Sequence, residues 1–244
     1  MALKQLVRGV LQSVVPSRCP LCSVAVADPM LPCRGCFDEL PWLDSEQFCH
    51  RCGAEVSFSL PDGCGACRGD RQMQDQTLCA FAYQPPISTM AVGGKFADQT
   101  RWAALLGSWM EPLLADSLIQ DDFSAVVPVP LHPKRLRQRG YNQSALIAGE
   151  LARSLGVPLW VERLQRIRAT TPQTRLNKLE RTRNVHRAFT VEPALDGEHL
   201  LLVDDTMTTG STVAEAARTL KRCGAGGVTV LVAAKALRKT SENR

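Results

Sequence analysis

Aromatic residues make up only 5% of the 244 positions. Sequence-tolerant binding of single-stranded nucleic acid relies on aromatic platforms for the bases. Near the cationic stretches of this chain only Tyr141, Trp160 and Phe189 are available, so a stacking mode is poorly supported. No run of about 18 uninterrupted apolar residues occurs, which excludes an ordinary membrane-spanning helix. A signal-peptide pattern is missing too. Lys4, Gln5, Arg8 and Gln12 interrupt the first apolar residues, and no small-residue cleavage site follows. A soluble cytoplasmic protein is the expectation.

Cysteine, by contrast, is abundant. Eight of the ten cysteines form four Cys-x-x-Cys pairs: Cys19/Cys22, Cys33/Cys36, Cys49/Cys52 and Cys64/Cys67. Two intervening residues let both sulfurs turn onto one metal, and two such knuckles complete a tetrahedral site. The stretch has too few apolar residues to fold by burial alone, so metal binding must drive its folding. Two zinc ribbons are expected. The ribbons are read as consecutive, with Cys19, Cys22, Cys33 and Cys36 on one zinc and Cys49, Cys52, Cys64 and Cys67 on the other; an interleaved pairing, first with third and second with fourth, is the alternative. Cys79 and Cys223 fall outside the pattern and read as buried small hydrophobes. His50 reads as a surface residue.

The ribbons lack a basic excess. Residues 1–70 hold Lys4, Arg8, Arg18, Arg34, Arg51 and Arg68 against Asp28, Asp38, Glu39, Asp44, Glu46, Glu55, Asp62 and Asp70. Four thiolates on one Zn²⁺ add further negative charge. A structural or protein-partner role fits better than a nucleic-acid footprint.

The most informative stretch is 200–212, Leu-Leu-Leu-Val-Asp-Asp-Thr-Met-Thr-Thr-Gly-Ser-Thr. An apolar strand ends in two acids, a small-residue loop follows, and an amphipathic helix opens near Val213. Helix N-termini hold anions through backbone N–H groups and the helix dipole. Thr206, Met207, Thr208, Thr209, Gly210, Ser211 and Thr212 would form the cradle, with Gly210 allowing close approach. Asp204 and Asp205 repel a phosphate and suit hydroxyls or Mg²⁺ nearby. A ribose 5-phosphate fits that pair of demands. The stretch resembles the phosphoribosyl pyrophosphate (PRPP) loop of type I phosphoribosyltransferases, in which the two acids meet the ribose hydroxyls and the loop holds the 5-phosphate.

The rest of the chain reads as α/β. Strands are expected at 77–83, 124–129, 158–161, 188–191, 200–203 and 228–233, and helices at 87–96, 101–118, 146–155 and 213–222. This alternation implies a mostly parallel sheet flanked by helices, with ligands at the strands' carboxyl ends. The expected organisation is an amphipathic helix at 1–16 (stripe Leu3, Leu6, Val7, Val10, Leu11 and Val14), a double zinc ribbon at 17–72, a phosphoribosyltransferase-like domain at 76–238 and a tail at 239–244.

Two further stretches carry charge. Residues 129–143 place Lys134, Arg135, Arg137 and Arg139 directly after a central strand. Residues 164–189, with Arg163 ahead of them, add Arg166, Arg168, Arg175, Lys178, Arg181, Arg183 and Arg187 against Glu180 alone. A long basic loop in an enzyme domain reads as a lid over a diphosphate, or as a contact to a nucleic-acid backbone.

Together these segments resemble the ComF (competence protein F), or GntX, family of phosphoribosyltransferase-like proteins. The carrying residues are the cysteine pairs, Lys95-Phe96, the 129–143 block, Arg168-x-Thr170-x-Pro172-Gln173, Arg181-x-x-Asn184-Val185-x-x-Ala188-Phe189, and 203–212. The resemblance implies a PRPP-type fold behind a zinc-binding N-terminus, and a role in handling incoming single-stranded DNA. If the chain is an enzyme, PRPP binds with Mg²⁺ and a nitrogen nucleophile attacks C1. Lys134, Arg135 and Arg168 are then the candidates for stabilising the departing pyrophosphate. Ala2 follows Met1, so no N-terminal cysteine is expected to release ammonia from glutamine. The alternatives are a non-catalytic single-stranded-DNA binder and an adaptor whose ribbons dock a DNA-translocating, helicase-like partner.

Overall fold

The computed structural model describes residues 17–57, 62–70, 73–92, 96–115, 122–169 and 185–237. The expected helix at 1–16, the centre of the basic stretch (170–184), Lys95 and the tail lie outside them. The chain divides into two compact units, Met1–Leu40 and Pro41–Arg244.

In the first unit the chain turns at Cys19–Cys22 and returns through a bridge between Arg18 and Ala25. The Cys19 N–H donates to the Val24 carbonyl at 2.7 Å. One short helix, α1 (Arg34–Asp38), starts within the second cysteine pair.

The second unit is built on a parallel sheet. Its strands are β1 (Gln76–Ala82), β2 (Ala125–Pro128), β5 (His199–Met207) and β6 (Gly227–Lys235), in the order β1-β6-β5-β2. Leu200, Leu201, Leu202, Val230, Leu231 and Val232 have no accessible surface. A parallel sheet covered on both faces requires such continuous apolar runs rather than alternation. A second, two-stranded antiparallel sheet pairs β3 (Leu164–Arg166) with β4 (Phe189–Val191).

The helices of this unit are α2 (Ile87–Val92), α3 (Phe96–Trp109), α4 (Glu111–Ala115), α5 (Pro133–Arg139), α6 (Gln143–Leu155) and α7 (Ser211–Arg222). The single helix expected at 101–118 is divided at Met110. Pro112 lacks an N–H and its ring excludes a carbonyl one turn back, so α3 ends ahead of it and α4 carries it in its first turn. The strand expected at 158–161 is reduced to one bridge, Leu159 to Val126. The basic stretch after β2 is helical: His132 caps α5, its Nδ1 accepting from the Lys134 N–H at 3.2 Å, and Gly140 (φ 81°) ends it. Cys79 and Cys223, expected to be buried, are half-buried and packed against the core.

Register leaves one flank of β5 open near its end. β2 pairs with β5 only as far as Pro128 opposite Val203, whereas β6 follows β5 out to Met207 opposite Lys235. Beyond Val203, β5 therefore has a sheet partner on one side only. The opened flank holds Asp204 and Asp205, and α5 and α6 enter there.

α6 is held against α3 at a glycine contact. A Cβ on Gly107 would lie 2.8 Å from the Ile147 carbonyl oxygen and 2.7 Å from Glu150 Cβ. Gly107→Ala gains about 1 kcal/mol of helix propensity but loses about 1–3 kcal/mol to overpacking. A net destabilisation of about 1 kcal/mol is expected in urea denaturation; a stabilised variant would contradict this packing.

Candidate functional site

The eight paired cysteines form two separate clusters, Cys19/Cys22/Cys33/Cys36 and Cys49/Cys52/Cys64/Cys67, each with its sulfurs within 4.8 Å of one another. The pairing is consecutive, not interleaved. A tetrahedral Zn²⁺ with Zn–S bonds near 2.3 Å sets its sulfurs about 3.8 Å apart. The observed separations are 3.6 Å for Cys22–Cys33, and 3.5, 3.7 and 3.9 Å for Cys52–Cys64, Cys49–Cys67 and Cys64–Cys67. These are metal-ligand distances, far longer than a disulfide. Knuckle N–H groups favour thiolate at Cys19 and Cys49, whereas burial and then the neighbouring thiols push Cys52 and Cys67 up. Burial pushes the Cys49 thiol up, but backbone donors at Cys52, Cys64 and Arg51 outweigh it and bring it down to about 7. Both clusters fit zinc. His50 is not part of either cluster.

The second site lies at the end of β5. Asp204 is 7% exposed. Its Oδ1 accepts from Ser144 Oγ and from the Asp205 N–H, both at 3.0 Å. Ser144 Oγ also accepts from the Asp205 N–H at 3.2 Å, so the first turn of α6 locks the acid pair in place. Burial, then the neighbouring Asp205 charge, pushes the Asp204 carboxyl well above the usual range. Asp205 is also raised by burial, against the pull of Arg139. Two acids forced together out of water are poised for a cation or for hydroxyl donors.

Asp204 and Asp205 open onto a cavity of about 420 Å³ that also takes in Thr206, Thr208 and Thr212 from the following loop and α7. Gly210 caps α7 in the left-handed conformation, φ 77°. Three guanidinium side chains line the same cavity: Arg135, Arg139 and Arg166. Arg135 and Arg139 are one helical turn apart on α5. Arg139 lies over the Tyr141 ring at 5.5 Å, and Asn142 Nδ2 ties the end of that turn to the Val129 carbonyl at 3.0 Å. Arg166 reaches in from β3, 8% exposed, stacked on Phe189 at 5.5 Å. One cavity thus joins a carboxylate pair, a helix N-terminus with hydroxyl side chains, and three cations.

Residues 142–244 match the phosphoribosyl transferase domain family, and residues 10–68 the double zinc ribbon domain family. Competence protein F of Haemophilus influenzae is 28% identical over 210 residues, 84% of this chain and 90% of that protein. The DNA utilization protein YhgH of Salmonella typhimurium is 37% identical over 188 residues, 75% of this chain and 81% of that protein. This chain belongs to the ComF family. Among solved structures, the glutamine PRPP amidotransferase of Bacillus subtilis superposes with a TM-score of 0.42 at 17% identity, over 60% of this chain and 30% of that one. The parallel sheet, the flanking helices and the matched domain give this ComF-family chain the type I phosphoribosyltransferase fold, with zinc-ribbon cysteine clusters toward its N-terminus.

Of the residues singled out in the sequence, Asp204, Asp205, Thr206, Thr208, Thr212 and Arg135 come together in the cavity. Met207 points into the protein at 3% exposure, while Thr209, Gly210 and Ser211 line a separate, smaller cavity on the other side of the loop. Lys134 and Arg168 are exposed and do not line the ligand cavity. Arg139 and Arg166 enter the sequence reading only as charges of the two basic stretches, and Ser144 not at all. Arg139 was legible as the residue one turn on from Arg135. Arg166 was legible from strand alternation, which puts Leu164 and Arg166 on one face and Gln165 on the other. Ser144 carried no local signal.

Two outcomes are expected. Metal analysis of the purified protein should give two zinc equivalents, and Cys22→Ser and Cys52→Ser should each remove one; a zinc content unchanged by either variant would contradict the assignment. Asp204→Asn keeps an oxygen acceptor for Ser144 but removes a charge the fold penalises. A carboxyl raised in the folded state loses stability as pH rises through its folded value, so the variant gains stability above that value. A rise in Tm of about 2–4 °C at pH 8, shrinking as pH falls, is expected by calorimetry.

Proposed function

We propose that this protein binds PRPP with Mg²⁺ and transfers its phosphoribosyl group to a nitrogen acceptor. The observation that carries this is the single cavity joining the Asp204–Asp205 pair to the 206–212 loop at the start of α7. The 5-phosphate sits on that loop, where backbone N–H groups and the helix dipole favour an anion. The ribose hydroxyls meet Asp204 and Asp205. Mg²⁺ bound with PRPP supplies charge neutralisation of the diphosphate.

In the reaction the C1–O bond to pyrophosphate breaks and the leaving oxygen takes the electron pair. The acceptor nitrogen donates its lone pair to C1 and releases a proton. Negative charge grows on the departing pyrophosphate, and Arg135, Arg139 and Arg166 are placed to stabilise it. Lys134 and Arg168 are exposed and lie outside the cavity lining, so this step is assigned to the three arginines that line it. The domain bounds proposed are the ribbon stretch 17–72 and the transferase-like stretch 76–238, with the ribbon stretch divided at Leu40 between the two compact units.

A second reading concerns DNA, the word in the names of the YhgH relatives. α5 divides its cations: Arg135 and Arg139 line the cavity, while Lys134 and Arg137 do not. The outer pair suits a phosphate backbone, and docking of a DNA-translocating partner on the ribbons would accompany it.

Calorimetric titration of PRPP with Mg²⁺ tests the first reading. Asp204→Ala and Asp205→Ala should abolish binding, and Arg139→Ala should weaken it by about tenfold or more. Lys134→Ala should leave it within about threefold. Because both carboxyls are raised, binding that needs them ionised should weaken on acidification sooner than ordinary carboxylates would dictate. A folded, zinc-loaded protein that does not bind PRPP would sink the transferase reading. Single-stranded DNA binding, if present, should fall steeply with salt and drop in Lys134→Ala.

A further inference from the structure

The second cysteine cluster lies in the same compact unit as the sheet, and its knuckle is bound directly into the phosphate site's scaffold. The Thr77 N–H at the start of β1 donates to the His50 carbonyl at 2.6 Å, and Thr77 Oγ1 donates to the Arg51 carbonyl at 2.7 Å. Both acceptors lie between the ligands Cys49 and Cys52. The Arg51 guanidinium donates to the Gln74 carbonyl at 3.3 Å and to the Cys67 carbonyl at 3.4 Å, joining the two knuckles to the entry of β1.

Next along the chain, Gly53 (φ 66°) leaves no room for a side chain: a Cβ there would meet Met207 Cε at 2.7 Å. Met207 is the last residue of β5, immediately before the exposed hydroxyls of the loop. A Cβ on Gly210 would lie 3.4 Å from the Met207 sulfur and 3.6 Å from the Cys52 carbonyl oxygen. A cavity of about 170 Å³ between them is lined by Cys52 and Cys67 on one side and by Thr209, Gly210 and Ser211 on the other. The cluster's far end is tied to α7: Arg218 donates to Asp70 Oδ2 through Nη2 at 2.8 Å and Nε at 3.2 Å. The loop therefore has the ligand cavity on one side and the Cys49/Cys52/Cys64/Cys67 knuckles on the other.

We propose that the metal held by Cys49, Cys52, Cys64 and Cys67 sets the conformation of the 208–212 loop, making these cysteines positioning residues for the phosphate site. A Cys₄ knuckle keeps its turn only while its thiolates share a metal. Loss of the metal frees the Cys52–Gly53 turn, removes the stop against Met207 and Gly210, and loosens the cradle. The first cluster, which belongs to the other compact unit, has no such role. The proposal deepens the phosphoribosyl reading by naming what fixes its anion cradle, but its test needs no ligand.

The test is hydrogen–deuterium exchange across 207–213 in the full chain. Cys52→Ser, with one zinc remaining by metal analysis, should speed exchange of this segment by about tenfold or more, with β5 and β6 still protected. Cys22→Ser, which removes the other zinc, should leave the segment at the wild-type rate. Equal rates in the wild type and in Cys52→Ser would overturn the proposal, as would an equal acceleration in Cys22→Ser. If Cys52→Ser exposes β5 and β6 as well, Gly53→Ala decides. It keeps all eight thiolates and drives a methyl group into Met207, so both zincs should remain while 207–213 exchanges faster; an unchanged segment there overturns the coupling. A wild-type protein that ignores PRPP but shows this pattern would end the transferase reading and leave the coupling standing.

Discussion

The pairing of β5 with β6 beyond the point where β2 stops is the constraint on which the site depends. A parallel strand held on both sides has no room for a ligand along its edges. Here one side is released at Val203 while the other stays hydrogen-bonded to Met207. The backbone of Asp204 to Met207 is thus fixed by the sheet while one flank is exposed to a cavity. The acids are rigid because their strand is rigid, and accessible because their neighbour ended. Ser144 completes the arrangement from α6, whose position is in turn set by the close contact at Gly107.

That rigidity carries an electrostatic cost. Two carboxylates are held together in a buried setting, and both are pushed toward the protonated form. A fold selected for stability alone would place neutral residues there. Opposing them are three guanidinium groups, one of which, Arg166, is itself buried and lowered in pKa by burial and by Arg135. The site therefore sets a buried carboxylate pair against guanidinium groups across one cavity.

The cysteine clusters solve a different problem. Residues 17–70 contribute little apolar surface, so burial cannot order them, and thiolate–metal bonds take its place. The two clusters share a ligand pattern but not a setting. One forms its own small unit, whereas the other is hydrogen-bonded to the start of β1, lies close against Met207 at the end of β5, and is joined to α7 through Asp70 and Arg218. Similar spacing in sequence therefore does not imply a similar role.

Local chemistry determined much of this protein. Cys-x-x-Cys spacing sets a metal site because two intervening residues allow one turn around one ion. The run into Asp204, Asp205 and Gly210 dictates a strand, a tight loop and a helix because burial, φ preference and the helix dipole all act within a dozen residues. The ComF resemblance rested on those same short motifs, and so did the α/β alternation. Whether cysteine pairs joined consecutively, which cations met the acids, and how far β5 extended were decided by contacts between residues distant along the chain. Lys134 and Arg135 are adjacent in sequence and indistinguishable by composition; a helix rotates them about 100° apart, and only Arg135 lines the cavity. Ser144 had no signal at all, since its partner Asp204 is sixty residues away. Periodicity and spacing act within an element, whereas the site is an agreement among several, and only the folded chain brings them together.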